Sequence, residues 1–234
     1  MIEKKLLDDL LIRYPVLQEQ KEAIWKMFQI MAECFANHGK LLLAGNGGSA
    51  ADADHIVGEL MKGFAKQRKL KMDTEPETDS IEEMGIVKGV DSLTEMYVRL
   101  EEMEVGAGKK IVEKLQGALP AIALTGHTAL TTAYANDVDP LYGFAQQVHG
   151  YGKKGDVFLG ISTSGNSQNV LYACMVAKAE GMKVVGMTGK NGGRLKELCD
   201  VVIMVPADEA YLVQELHLPV YHCLCLMLEE HFFS

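Results

Sequence analysis

Two side chains suited to proton transfer stand four residues apart in the first quarter of the sequence. His55 and Glu59 follow a glycine-rich segment in a stretch with helical spacing, so both would lie on one face of a helix. Asp52 lies one turn earlier on that face. An imidazole beside a carboxylate can act as an acid–base pair or bind a metal ion, although such pairs also occur as ordinary surface contacts.

A second polar group lies in the long apolar segment 211–233, which is predicted to be a C-terminal helix. Gln214, His217 and His222 fall on one broad half of this helix. Polar side chains in such a segment face a cavity or a partner, unless they are satisfied inside the core. Pro219 lies between the two histidines and is expected to kink the helix.

A hydroxyl-rich turn is the strongest candidate for anion binding. Four side-chain hydroxyls lie between an apolar run and a helical pattern, those of Ser162, Thr163, Ser164 and Ser167. A helix cap explains one of them but not four. Backbone N–H groups at a helix start, together with hydroxyl donors, bind phosphate without any basic side chain. The turn therefore predicts a phosphate site.

The segment from Gly45 to Ser49 is a second loop between an apolar run and a helix. Glycine permits close approach of a ligand to the backbone, which makes Asn46, Gly47 and Gly48 candidate contacts, although a plain turn would also explain them. The order lacks the G-x-G-x-x-G of dinucleotide sites and the lysine of a P-loop. No nucleotide cofactor is therefore expected.

Five short apolar runs, each followed by a turn, predict the framework that positions these groups. The runs are 41–44, 121–124, 157–161, 184–187 and 201–205, and helical patterns separate them. This alternation predicts an α/β fold, a parallel five-stranded sheet flanked by helices. Ligands of such sheets bind at the carboxyl ends of the strands, where both loops would lie.

Three segments lie outside the repeat, within what is predicted to be a single domain over 1–234. Residues 1–38 predict N-terminal helices, and 211–233 the C-terminal helix. Segment 65–117 has no strand-like run and changes from basic to acidic. It predicts an inserted helical segment, with helices from Ser92 to about Glu104 and over Lys109–Gln116; a partly ordered excursion is the alternative.

Composition restricts the partners. The net charge of −9 argues against nucleic acid and against an anionic membrane surface, because both require basic patches. The five cysteines are odd in number and form no C-x-x-C, which is typical of reduced thiols in a cytoplasmic protein. No stretch approaches the roughly 20 apolar residues of a membrane span.

The two loops and their surroundings resemble the phosphoheptose (sedoheptulose-7-phosphate) isomerases of the sugar-isomerase, or SIS, family. Residues 45–55 are similar to the family's first signature and residues 155–170 to its second. Residues 136–137 and 214–217 follow in family order. The resemblance covers nearly all of the chain outside 65–117. It implies the SIS fold, which is doubly wound and flavodoxin-like.

The resemblance also implies roles for the matching residues. Glu59 would move a proton between C1 and C2 of a sugar phosphate, and His222 would be its acid–base partner. A zinc ion would be bound by His55, Glu59, Gln214 and His222. The implied substrate contacts are Asn46, Gly47, Gly48, Ser49, Asn136, Asp137, Ser162, Thr163, Ser164, Ser167 and Gln214. A homotetramer with active sites at subunit interfaces is implied as well.

Two features depart from the family pattern, and other functions stay open. Segment 65–117 is longer than the corresponding link in typical members, and Pro219 could displace His222. The alternatives are an isomerase for another sugar phosphate and a non-catalytic SIS-domain protein that binds a phosphosugar or the replication initiator protein. Such non-catalytic relatives lack the acid and histidine found here at Glu59 and His222, which favours an enzyme.

Overall fold

Five parallel strands form one sheet at the centre of the computed structural model, which describes residues 2–70 and 90–234. Their spatial order is β2-β1-β3-β4-β5. The bounds are β1 Leu41–Ala44, β2 Ala121–Ala123, β3 Val157–Ile161, β4 Lys183–Thr188 and β5 Val201–Met204. The predicted parallel five-stranded sheet is confirmed, and each strand lies within two residues of its predicted bounds.

The strand order reverses between β1 and β3. β1 pairs with β2 on one side and with β3 on the other, and Ala44 at the end of β1 is in register with Gly160 of β3. Ligands of open parallel sheets bind in the crevice at such a reversal, outside the carboxyl ends of the strands. The glycine loop after β1 and the hydroxyl turn after β3 therefore begin side by side at this crevice.

Helices surround the sheet. They are α1 Ile2–Arg13, α2 Lys21–Ala36, α3 Gly48–Met61, α4 Val90–Met103, α5 Ala107–Val112, α6 Thr128–Asp137, α7 Gly143–Tyr151, α8 Gln168–Ala179, α9 Leu195–Leu198 and α10 Ala210–Phe232. Short 3-10 turns cover Pro15–Gln20 and Pro140–Tyr142. Within residues 2–70 and 90–234, no helix is both long and apolar enough to cross a lipid bilayer.

Alternate residues of each strand point to opposite faces of the sheet, which creates two apolar cores. Leu41 and Leu43 pack with α1, α2, α3 and α10. Leu42 and Ala44 pack with α7, α8 and α9. This double burial explains why the strands appear in the sequence as continuous apolar runs. It also fixes α3 and α10 as neighbours on the same face.

The predicted helices are present, but some begin or end at other residues than predicted. Pro15 lies at the start of a 3-10 turn, so α2 begins at Lys21 and not near Leu17. α5 covers Ala107–Val112 because it begins after Gly106, whose φ is +83°. α10 runs through Pro219 without interruption.

Segment 65–117 leaves and rejoins the domain at one place. Lys69 and Gln116 form an isolated antiparallel bridge. The Gly117 N–H donates to the Arg68 carbonyl at 2.8 Å, and the Gly63 N–H donates to Oε1 of Gln116 at 2.7 Å. We call these residues, with their backbone bonds, the root of the segment. The root directly follows α3, which carries His55 and Glu59.

Candidate functional site

The predicted acid–base residues meet where α3 and α10 run parallel. Nε2 of His55 lies 3.2 Å from Oε1 of Glu59. The ring of His222 lies edge-to-face against that of His55, with 5.0 Å between centroids. Lys62 is exposed and its Nζ lies 3.3 Å from the other Glu59 oxygen. One chain alone therefore brings Glu59, His55 and His222 together, and we call these three residues the proton-transfer cluster.

His222 is held in a state suited to exchanging protons. Burial lowers its pKa, and the nearby His55 lowers it further, against an opposing effect of Glu59. Phe64 packs on the ring, with 5.4 Å between centroids. Nε2 of His222 is buried and has no hydrogen-bond partner among the described residues. At neutral pH the ring is therefore neutral and can either accept or donate a proton.

A tyrosine that the sequence interpretation missed contacts the other side of His55. The Tyr221 hydroxyl lies 3.0 Å from Nδ1 of His55. Burial raises the pKa of Tyr221, and the charge of neighbouring Asp52 raises it further. Burial also raises the pKa of Asp52, although the Tyr221 hydroxyl and His55 act to lower it. The only signal for Tyr221 in the sequence is its place next to His222.

A buried ion pair ties the end of α3 to α10. Nε of Arg68 donates to Oε1 of Glu229 at 2.8 Å, and both side chains are almost fully buried. The guanidinium also donates to the carbonyls of Leu60 and Glu59, at 2.7 and 2.9 Å. The Glu229 carboxylate accepts backbone N–H bonds from Phe64, Ala65 and Lys66. The pair therefore caps α3 next to the proton-transfer cluster.

The hydroxyl turn is held by its own hydrogen bonds. Oγ of Ser162 lies 2.9 Å from Oγ of Ser167, and the Asn166 N–H donates to Oγ of Ser164 at 3.2 Å. Gly165 has φ +67° and packs against the backbone at Gly192, where a β-carbon would not fit. α8 begins directly after Ser167, so its first N–H groups have no partner within the helix, and that of Val170 donates to Oδ1 of Asn169. Thr163 lies in the same turn.

The glycine loop is joined to the hydroxyl turn. Asn46 and Asn169 exchange two side-chain amide hydrogen bonds, each 2.9 Å long. Gly47 has φ +56° and opens α3, with Ser49 buried in its first turn. A β-carbon at Gly48 would collide with the Gln214 carboxamide. Gln214 therefore lies beside the glycine loop.

The remaining predicted site residues lie at the end of α6. Asn136 and Asp137 end α6, are exposed, and bond to each other through Nδ2 and Oδ1 at 2.8 Å. In the described part of the chain, no hydrogen bond joins them to either loop. Their role in sugar binding stays a prediction.

His217 belongs to the core and not to the site. It is fully buried, and Nε2–H donates to the Thr188 carbonyl at 3.4 Å. Burial lowers its pKa to about 4. Of the polar residues on α10, His217 is thus a core histidine, bonded through Nε2, while its buried Nδ1 has no hydrogen-bond partner among the described residues.

The predicted zinc ligands are only partly gathered. His55, Glu59 and His222 meet, and two imidazoles with one carboxylate suit zinc. Gln214 lies beside Gly48, two turns before His55 on α3. Across residues 2–70 and 90–234, no three His, Cys, Asp or Glu side chains are already arranged around a metal position. The buried unpaired Nε2 of His222 is nevertheless a free ligand atom, so the three residues fit the ion in type.

Known proteins are similar to this chain over nearly its whole length. The SIS domain family matches residues 11–106 and 98–189. A phosphoheptose isomerase of Nitratiruptor sp. is 37% identical, with 99% of this chain and 98% of the relative covered. One from Desulfovibrio desulfuricans is 34% identical, with 95% of this chain and 83% of the relative covered.

Solved structures agree with the sequence comparison. The phosphoheptose isomerase of Francisella tularensis is 28% identical, with a TM-score of 0.67 over 98% of this chain and 96% of that one. The enzyme from Neisseria gonorrhoeae is 27% identical, with a TM-score of 0.66 over 98% of this chain and 100% of that one. The likeness therefore extends over sheet, helices and both loops.

Proposed function

Because the chain belongs to the SIS-domain family and, within it, to the phosphoheptose isomerases, we propose that it interconverts sedoheptulose 7-phosphate and D-glycero-D-manno-heptose 7-phosphate. The observation that carries this proposal is the meeting of Glu59 and His222 around His55. This cluster lies on the helix that begins at the glycine loop, and the hydroxyl turn lies beside that loop. A proton-transfer group and an anion site thus serve one crevice.

The reaction moves one carbon-bound proton between neighbouring carbons. From the ketose, the Glu59 carboxylate takes a proton from C1, the C1–C2 double bond forms, and the C2 carbonyl oxygen gains a proton. The enediol then loses its O1 proton, the C1 carbonyl forms, and Glu59 returns the first proton to C2. His222 donates a proton to O2 and takes one from O1, so that it ends the reaction in the form in which it began.

The hydroxyl turn fixes the phosphoryl end of the substrate. The hydroxyls of Ser162, Thr163, Ser164 and Ser167, with the first-turn N–H groups of α8, supply donors without a cation. The glycine loop and Gln214 then line the path toward the proton-transfer cluster. Holding the substrate at one end reduces the entropy lost at the reacting carbons, which raises the rate.

We also propose a zinc site, for which three residues supply the ligand atoms. His55, Glu59 and His222 would hold the ion, since their donor types suit it and Nε2 of His222 is unpaired and buried. Because Glu59 and His222 cannot bind zinc and move protons with the same lone pairs, one of them would have to leave the ion during turnover. When bound, zinc polarises a carbonyl oxygen of the substrate and so favours the enediolate. Equilibrium dialysis with zinc, on the wild-type chain and on His55→Gln, tests binding independently of turnover.

We also propose that the chain assembles into a homotetramer in which subunits share active sites. Asn136 and Asp137 lie exposed at the end of α6, and among the described residues neither forms a hydrogen bond to the loops of its own chain. A sugar contact by these residues is more readily made in the crevice of a neighbouring subunit. Light scattering should give four times the mass of one chain, and a monomer with full activity would contradict shared sites.

A coupled isomerase assay across heptose, hexose and pentose phosphates tests the function, with and without added zinc. Turnover should be fastest with sedoheptulose 7-phosphate. Glu59→Gln should lose more than about 10³-fold in kcat while sugar phosphate still raises its melting temperature, because the anion site is intact. Glu33→Gln on α2 is the matched control and should keep full turnover.

Two outcomes would reject the proposal. Near-normal turnover of Glu59→Gln would remove Glu59 from the mechanism. Absence of turnover on every sugar phosphate, combined with tight binding of one of them, would favour the non-catalytic phosphosugar-binding alternative.

A further inference from the structure

The hydroxyl turn is fastened to a second loop, which follows β4. We call residues 189–195, which connect β4 to the first residue of α9, the β4 loop. The Gly189 N–H donates to the Thr163 carbonyl at 3.0 Å, and the Leu195 N–H donates to the Gly165 carbonyl at 2.9 Å. The carbonyls on both sides of Ser164 therefore point toward the β4 loop.

Asn166 is the side chain that joins the β4 loop to Ser164. Its Nδ2 donates to the Ser164 carbonyl at 2.9 Å, and its Oδ1 accepts the Arg194 N–H at 3.1 Å. Its backbone N–H donates to Oγ of Ser164 at 3.2 Å. The Ser164 carbonyl only accepts and the Arg194 N–H only donates, so only one orientation of the carboxamide makes both side-chain bonds.

These bonds determine what Ser164 can offer to a ligand. Its Oγ already accepts from Asn166, so its hydroxyl proton is available for another acceptor. Its N–H has no hydrogen-bond partner among the described residues. The carbonyl of the same peptide, that of Thr163, is bonded to the β4 loop, and the C=O and N–H of a trans peptide point in opposite directions. The Ser164 N–H therefore points away from the β4 loop and, like the hydroxyl, can donate to an anion.

We propose that Asn166 is a positioning residue of the phosphate site, which holds Ser164 so that its N–H and its hydroxyl donate to the phosphoryl group of the substrate. The proposal rests on the proposed function, since it concerns how the same site recognises phosphate. Ser164 needs such a restraint because its side chain is exposed and is not held by the core. Donors that are already fixed bind an anion more tightly, because less entropy is lost on binding.

The direct test measures phosphate binding without turnover. Isothermal titration calorimetry of the full-length chain with inorganic phosphate gives the dissociation constant for wild type and for Asn166→Ala. The variant loses both side-chain bonds and should bind phosphate about tenfold more weakly, the usual effect of losing one or two hydrogen bonds. Asn191→Ala, in the β4 loop, is the matched control, because Nδ2 of Asn191 donates to Asp208 after β5 at 3.1 Å. It should bind phosphate as tightly as wild type.

A second titration asks whether Asn166 acts through Ser164. Ser164→Ala removes the hydroxyl and should also weaken phosphate binding. If Asn166 works by holding Ser164, the loss of affinity in the double variant should be clearly smaller than the product of the two single losses. Urea unfolding checks the fold of each variant. Asn166→Ala and Asn191→Ala should have similar midpoints, because both side chains are exposed.

The kinetic test uses the proposed substrate. Asn166→Ala should raise KM for sedoheptulose 7-phosphate about tenfold and change kcat less than about twofold, because a contact with the phosphoryl end is the same in the bound substrate and in the transition state. Asn191→Ala should change neither constant.

The outcomes separate this role from the isomerase function. Wild-type phosphate affinity in Asn166→Ala, or losses that multiply fully in the double variant, would overturn the role of Asn166. So would an unfolded or strongly destabilised Asn166→Ala, which would show that the residue supports the fold instead. A wild-type chain inactive on every sugar phosphate would reject the isomerase, and the phosphate titrations would still decide the role of Asn166. A wild-type chain that does not bind inorganic phosphate would overturn that role as well.

Discussion

Asn46 and Asn169 each donate to the other's amide oxygen and thereby join the two loops across the β1–β3 crevice. Asn169→Ala removes both bonds, together with the one that its Oδ1 accepts from the Val170 N–H, and should raise KM for sugar phosphate about tenfold with little change in kcat. The reason is that an exposed hydrogen bond contributes on the order of 0.5–1.5 kcal/mol, and the two that join the loops are lost. Steady-state kinetics measure this. Asn37→Ala, which removes a bond to the Glu33 carbonyl after α2, serves as the control; an equal effect there would show that the loop link is unimportant.

Gly48 should tolerate no side chain, in contrast to Gly58 on the same helix. A β-carbon at Gly48 would displace the Gln214 carboxamide, whereas at Gly58 it would meet no atom within 4 Å. Gly48→Ala should therefore reduce kcat/KM about tenfold. Gly58→Ala should leave kcat/KM unchanged and stabilise the fold by about 0.5–1 kcal/mol, since alanine favours helix over glycine.

Kinetics and urea unfolding of both glycine variants provide the check. Equal activity of the two variants would mean that Gln214 does not act from its place beside the glycine loop.

Breaking the buried Arg68–Glu229 pair should be among the most destabilising single substitutions. Arg68→Met leaves the Glu229 carboxylate buried without its guanidinium, and such a loss costs about 3–5 kcal/mol. Lys21→Met breaks an exposed pair with Asp8 and should cost less than about 1 kcal/mol. Urea unfolding measures both free energies. Similar values for the two variants would contradict the role given to the buried pair.

Stability should fall as the pH is lowered from 7 to 5, partly because of His217. Burial lowers the pKa of His217 in the folded chain to about 4, below the ordinary value near 6.5 that holds when the chain unfolds. Between these values the unfolded chain binds the extra proton, so acid favours unfolding. The loss is about 2 kcal/mol between pH 7 and pH 5 and levels off below pH 4.

Urea unfolding at both pH values, with wild type and His217→Leu, isolates this effect. The variant should lose about 2 kcal/mol less than wild type over that interval. An identical pH dependence of the two proteins would place the titration elsewhere.

The sheet and both loops were predictable because their signals are local. A fully buried parallel strand is apolar at every position. The turns that follow carry glycine or hydroxyl residues because of what their own backbone requires. The strand order was not predicted, since the apolar runs themselves do not specify which strands pair.

The contacts between α3 and α10 could not be predicted from local sequence patterns. Arg68 and Glu229 are 161 residues apart, and each on its own resembles an ordinary surface charge. Tyr221 resembles a core aromatic until the register of the two helices places it opposite His55. The same register sets Gln214 beside Gly48, away from the other predicted zinc ligands. Only packing on the sheet determines that register.

The root of segment 65–117 allows the residues between its two ends to be exchanged. The bridge between Lys69 and Gln116 holds the two ends of the segment together. The entropic cost of closing the residues between them therefore grows only slowly with their number, and it does not affect the sheet. Natural variation could lengthen, shorten or replace what lies between without altering the core. Because Arg68 at this root donates to the backbone carbonyl of Glu59, such changes would lie next to the proton-transfer cluster. New substrate preferences could thus evolve there while the catalytic frame is inherited unchanged.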